Sequence, residues 1–137
     1  MDSMKKPDIE ITKISPVGIG KDKIELIVTI KVKNPSFLDA PIKRIEFELF
    51  RHLNNGEDYL GRGEKEGVIL KADSENLIDI KVLIENLSFI SAAAEYIKDG
   101  VSIIVRGSIF FDLKIFAPEI KFEEIKRLKS PLEDFFK

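Results

Sequence analysis

Lys23-Ile24-Glu25-Leu26-Ile27-Val28-Thr29-Ile30-Lys31-Val32-Lys33 decides the fold class. Ile24, Leu26, Val28, Ile30 and Val32 share one parity, and Lys23, Glu25, Thr29, Lys31 and Lys33 share the other, with Ile27 the exception. A helix would scatter these residues around its axis, whereas a strand sends alternate side chains to opposite faces. The stretch therefore reads as a strand with one buried and one wet face, as antiparallel sheets allow.

The same period recurs on both sides of it. Ile45, Phe47 and Leu49 alternate with Arg44, Glu46 and Glu48, and Ile78, Ile80, Val82 and Ile84 stand against Asp79, Lys81 and Glu85. Val101–Phe111 is apolar on both faces, which predicts a central strand. Asp8–Ile14 opens the fold with Ile9 and Ile11 inward. A short strand near Tyr59–Lys65 carries Gly61 and Gly63, which permit a bulge, and Lys114–Glu123 is the expected last strand, broken near Pro118. Between the fifth and sixth strands, Phe89, Ile90, Ala93, Ala94 and Ile97 form a helical stripe, with Ser88 placed to cap its start and Gly100 its end. This predicts a helix over about 88–98. The turns fall at Gly18–Asp22, Asn34-Pro35, Asn54-Asn55-Gly56 and Lys71–Ser74, the asparagines and glycine of the third suiting positive φ.

About seven short strands at this spacing imply a mainly β fold. The expected architecture is a two-sheet antiparallel β-sandwich of immunoglobulin or fibronectin-III-like type, with the helix before the last two strands. The 137 residues fit a single domain, with 1–6 as an N-terminal tail, 8–126 as the sandwich and 127–137 as a C-terminal tail.

Composition narrows the chemistry. The chain has no cysteine, which removes disulfides, thiolate metal sites and cysteine nucleophiles. Charged residues make up 34% of the chain, yet the net charge is only −2, so no field gathers nucleic acid. Lys21, Lys23, Lys31 and Lys33 form a basic run, but Glu25 interrupts it and no stacking aromatic is interleaved, so it reads as a solvated strand face. No apolar stretch is long enough for a transmembrane helix and no signal-peptide core follows Lys5-Lys6, so a cytoplasmic location is expected.

His52 is the only histidine, at a strand end before a turn, and reads as a surface residue rather than a catalytic base. No Gly-x-Ser-x-Gly elbow surrounds any serine. Asp73 with Glu75, and Glu123 with Glu124, are the adjacent carboxylates, read as surface acids rather than metal ligands. Gly18-Ile19-Gly20 and Gly61-Arg62-Gly63 do not extend into phosphate-binding loops. The expectation is a protein without catalytic residues, metal or cofactor.

The order of elements supplies a further reading. Ile9-Glu10-Ile11, then Lys31-Val32-Lys33-Asn34-Pro35, Ala40-Pro41-Ile42, Arg44–Leu49, Gly61-Arg62-Gly63, Ile78–Ile84 and Val105–Leu113 together resemble the water-stress and hypersensitive-response (WHy) domain of the late embryogenesis abundant proteins. The resemblance runs from Asp8 to Glu123. Its marker is Asn34-Pro35, the family's structural motif, although Ser36 stands where the family usually has a second asparagine. The resemblance implies a sandwich with one helix and a non-enzymatic, protective role in desiccation or other stress, with client proteins or membranes as partners. Many members carry a membrane anchor or export signal, and neither is evident here. The other reading is an interaction module that uses a sheet edge or the outward aromatics Phe50, Phe110, Phe116, Phe135 and Phe136.

Overall fold

The computed structural model describes residues 7–19, 24–84, 100–113 and 118–128. These form seven strands: β1 (Asp8–Ile19), β2 (Ile24–Asn34), β3 (Ala40–Leu53), β4 (Gly56–Leu70), β5 (Ser74–Ile84), β6 (Val101–Phe111) and β7 (Glu119–Leu128). A three-stranded sheet has the order β1-β2-β5 and a four-stranded sheet the order β4-β3-β6-β7, with every pairing antiparallel.

The alternation in β2 orients its sheet: Ile24, Leu26, Val28, Ile30 and Val32 are all buried. Ile78, Ile80, Val82 and Ile84 of β5 stand opposite them in register and are also buried. From the other sheet, Ile45, Phe47 and Leu49 of β3 and Ile103, Val105, Ile109 and Phe111 of β6 close the core. β6 lies between β3 and β7, as expected of a central strand; its other parity is mixed, with Ile104 and Phe110 beside Ser102, Arg106 and Ser108.

Several boundaries differ from the sequence reading. β4 is not a short strand but 15 residues long. Its partner β3 templates it from Ala40↔Leu70 to Leu53↔Gly56, so pairing holds the run Glu64–Gly67 in strand form despite its polarity. β1 continues past Ile14 to Ile19 through two bulges, between Ile11 and Lys13 and between Pro16 and Gly18. The first of these lets both Ile11 and Ile14 face inward. The last strand occupies Glu119–Leu128 rather than Lys114–Glu123. Pro118 cannot donate to a ladder, and its carbonyl accepts the Phe111 N–H at 2.9 Å, so regular pairing begins after it. The strand runs on through Arg127 to the buried Leu128, residues that the sequence reading put in the tail. The helix expected over 88–98 lies outside the described residues. In the β3–β4 hairpin neither Asn54 nor Asn55 takes positive φ; among the described residues Asp73 is the non-glycine residue that does, at 47°.

The two sheets meet at two lateral seams. At the β4–β5 seam a Cβ on Gly61 would come within 3.0 Å of the Leu83 carbonyl oxygen, so the bare backbone of β4 lies against β5. At the β1–β7 seam the Glu124 carboxylate accepts a hydrogen bond from the Ile11 N–H. An outward-facing donor of the edge strand β1 is thereby satisfied by a charge from the opposite sheet.

Candidate functional site

Two regions concentrate polar chemistry. The first is the outer face of the four-stranded sheet. Register aligns Arg62, Glu48, Arg106 and Glu123 in one row across β4, β3, β6 and β7, and Glu64, Glu46, Ser108 and Lys121 in the next. An open depression of about 790 Å³ lies over these rows, with Phe47, Gly107 and Phe122 in its floor. Gly107 is obligatory there: a Cβ would sit 2.2 Å from the Glu46 carbonyl oxygen and 2.6 Å from the Phe47 Cα.

The charges of this face meet one another. The Arg106 guanidinium donates to both Glu57 carboxylate oxygens, at 2.9 and 3.1 Å, and also to Glu123. These bonds hold Glu57 below the usual carboxylate range and push the already high pKa of Arg106 further up. Arg62 pairs with Glu64 at 3.1 Å, and Arg44 lies 3.1 Å from Glu46. Arg106 also stacks over the Phe50 ring at 4.8 Å, and Arg44 over Phe110 at 4.7 Å. Two of the aromatics expected to face outward are therefore roofed by arginines. Phe116, Phe135 and Phe136 fall outside the described residues.

The second region is the end of the sandwich where β2 turns into β3. Asn34 is 3% exposed and all its carboxamide groups are engaged. Oδ1 accepts the Ser36 N–H at 3.0 Å, as expected of an asparagine opening a turn. Nδ2 donates to the Leu38 carbonyl at 3.0 Å and to the Leu70 carbonyl at 3.2 Å, ties that sequence reasoning did not anticipate. One amide thus clamps the β2–β3 loop to the end of β4. Ser36 Oγ accepts the Leu38 N–H at 3.1 Å, Ser36 O accepts the Asp73 N–H at 2.8 Å, and Asp39 Oδ1 accepts the Ala72 N–H at 2.8 Å. The loop 35–39 is therefore wired to the β4–β5 turn at several points.

What this framework displays is apolar. Phe37 is 85% exposed and Leu38 63% exposed at the loop tip, and Ile69, next to the clamped Leu70, is 56% exposed. Burying a phenylalanine or leucine fully would gain about 1.5–3 kcal/mol, a gain that these two neighbours forgo. Sequence reasoning passed over this pair because two apolar residues beside a strand look like core.

The remaining sequence candidates are placed apart. His52 is exposed and stands opposite Glu57 in register. Glu123 and Glu124 project to opposite faces of β7, toward Arg106 and toward Ile11, so adjacency in sequence does not pair them in space. Asp73 sits in the β4–β5 turn and Glu75 in β5. Among the described residues no three acidic or histidine side chains group so as to hold a metal ion. Gly61 and Gly63 lie within β4, Gly61 against β5 and Gly63 under the Phe47 ring, so neither belongs to a loop. Lys31 pairs with Glu10 at 3.4 Å; Lys33 stands between Asp8 and Glu75 in register; Lys21 and Lys23 lie outside the described residues. No described helix is long and apolar enough to cross a membrane.

The likeness to known structures follows this framework. A protein from Arabidopsis thaliana superposes with a TM-score of 0.64 at 19% identity, covering 93% of this chain and 87% of that one. A protein from Archaeoglobus fulgidus gives 0.60 at 13% identity, covering 91% and 99%. The fold is shared with both. It is shared as well with a protein assigned to the late embryogenesis abundant (LEA) group, at a TM-score of 0.56 and 17% identity over 97% of this chain and 76% of that one. By sequence, the chain is 25% identical over 114 residues to an uncharacterised protein of Methanocaldococcus jannaschii, covering 82% of this chain and 64% of that relative's length. No family model matches.

Proposed function

We propose that the protein is a stress-protective, non-enzymatic binding protein of the LEA type, of the WHy subtype, acting in the cytoplasm. The observation that supports this most is the fold shared with the LEA-group structure over nearly the whole chain. The Asn34 turn adds to it. The resemblance rested on Asn34-Pro35, and Asn34 is the residue whose side chain joins β2, the following loop and β4. Ser36, the departure from the family pattern, supplies a side-chain acceptor in the same turn. The outer face of the four-stranded sheet fits a surface that resists aggregation, because it intersperses charges of both signs, several of them paired.

The experiment is to dry and rehydrate a labile enzyme, such as lactate dehydrogenase, with and without this protein. Activity recovered above that seen with an equal mass of serum albumin supports the reading; recovery no better than albumin refutes it. An interaction module is the second reading, and the exposed Phe37-Leu38 tip favours it. The two readings meet if the tip is the surface through which protection is exerted.

A further inference from the structure

We infer that the Phe37-Leu38 tip, with Ile69 beside it, is a docking surface for an exposed apolar protein segment flanked by basic residues. The inference rests on the protective reading and names the surface and the class of client. Three observations carry it.

The first is exposure without looseness. Phe37 and Leu38 are at 85% and 63% exposure, yet the backbone that carries them is fixed by the Asn34 carboxamide, the Ser36 hydroxyl and the Asp73 N–H. A loop held in one conformation has less ordering entropy to lose when it binds. The second is continuity. Because Asn34 Nδ2 reaches both the Leu38 and Leu70 carbonyls, the tip and the end of β4 are neighbours, and that end carries Ile69 at 56% exposure.

The third is charge. Asp8, Asp39, Asp73, Glu75 and Asp112 stand at the strand ends and turns of this end of the sandwich. Lys33, Lys43 and Lys71 are the described cations there, and Lys71 pairs with Asp39 at 3.9 Å. The described rim is thus net acidic. By its described charges the rim favours a partner whose apolar segment is bordered by Lys or Arg over an anionic headgroup. Exposed apolar side chains suit the apolar stretches that a partly unfolded protein exposes.

The test compares two reduced proteins of opposite charge, lysozyme (basic) and α-lactalbumin (acidic), whose aggregation after dithiothreitol is followed by light scattering. Wild type at equimolar ratio is expected to slow lysozyme aggregation about fivefold or more, and α-lactalbumin aggregation less. The double variant Phe37→Asp with Leu38→Asp, and the uncharged pair Phe37→Ser with Leu38→Ser, are expected to retain under a twofold effect while melting like wild type. Leu83→Asp, which removes an exposed leucine of β5, is expected to act like wild type.

Equal suppression by wild type and both double variants overturns the inference. So does co-sedimentation of wild type with phosphatidylcholine or phosphatidylglycerol vesicles that the double variants lose while lysozyme suppression is unchanged, because the occupant is then a membrane. A wild-type dimer that the double variants dissociate, with no effect on lysozyme, overturns it in favour of a second copy. Drying protection separates the two levels. If wild type protects a dried enzyme and the double variants protect equally, the tip inference alone fails. If wild type protects nothing, the protective reading fails with it.

Discussion

The outer face around Arg106 and the end around Asn34 distribute their polar groups in opposite ways. On the face, charged side chains meet one another above the sheet: Arg106 takes Glu57 and Glu123, and Arg62 takes Glu64. At the end, side-chain polar atoms turn inward onto the backbone, and apolar side chains are left outside. Charge alone therefore does not mark the binding surface. Charges that pair with one another have less to offer a ligand, whereas a wired loop can hold hydrophobic side chains in water without collapsing onto them.

Substitutions can break this comparison at graded cost. The largest effect belongs to the floor of the face. Gly107→Val would drive side-chain atoms into the β3 backbone at Glu46 and Phe47. A loss of about 3 kcal/mol or more is expected from overpacking of this kind, measurable by urea unfolding, and an unchanged midpoint would show that the sheet can part there. Next comes Asn34→Ala, which removes three hydrogen bonds and leaves the buried Leu70 carbonyl without this donor. About 2–3 kcal/mol is expected from an unsatisfied buried group together with the lost turn bonds. Amide exchange should quicken at Ser36 and Leu38 while β6 stays protected.

Arg106→Gln should have a smaller effect, visible in acid. Arg106 holds the pKa of Glu57 below its ordinary value of 4.5, so the stability this contact contributes is fully present above that pH. It is lost as the pH falls through the lowered value, when the carboxylate protonates. The variant should therefore show a weaker decline of melting temperature between pH 5 and pH 3 than wild type. Parallel curves would mean that the contact contributes nothing. Because the pair is exposed, added salt should also shrink the difference. The smallest effect on stability is that of Phe37→Asp, expected within about 0.5 kcal/mol because the side chain is in water. A large loss would mean that Phe37 has a packing partner and is not displayed.

How much of this was legible in sequence depends on how locally each feature is determined. The alternation from Ile24 to Val32 fixed a strand, and its facing rows in β5 followed, because period two needs no knowledge of neighbours. The extent of β4 was hidden because Glu64–Gly67 carries no pattern and is held by pairing with β3. The end of β7 was hidden because Glu124 and Lys126 occupy parity positions that a two-sided strand would fill with apolar residues; one of them instead closes a seam to β1. Asn34 was found as a turn residue, but its reach to Leu70 spans 36 residues and is a product of topology. Roofing of Phe50 by Arg106 is likewise a cross-strand contact that no local pattern announces. Phe37 and Leu38 went unread, since nothing in their local sequence separates interior from exterior and only the fold shows them outside.

The comparison between the two regions can be decided by amide chemical shifts of the labelled protein titrated with freshly reduced lysozyme kept below its aggregation threshold. Perturbations are expected to concentrate at Ser36–Asp39 and Ile69–Ala72, with Glu46, Arg62, Ser108 and Lys121 unmoved. Perturbations centred on that second group, with the Asn34 end unchanged, would contradict it and transfer the binding surface to the charged face.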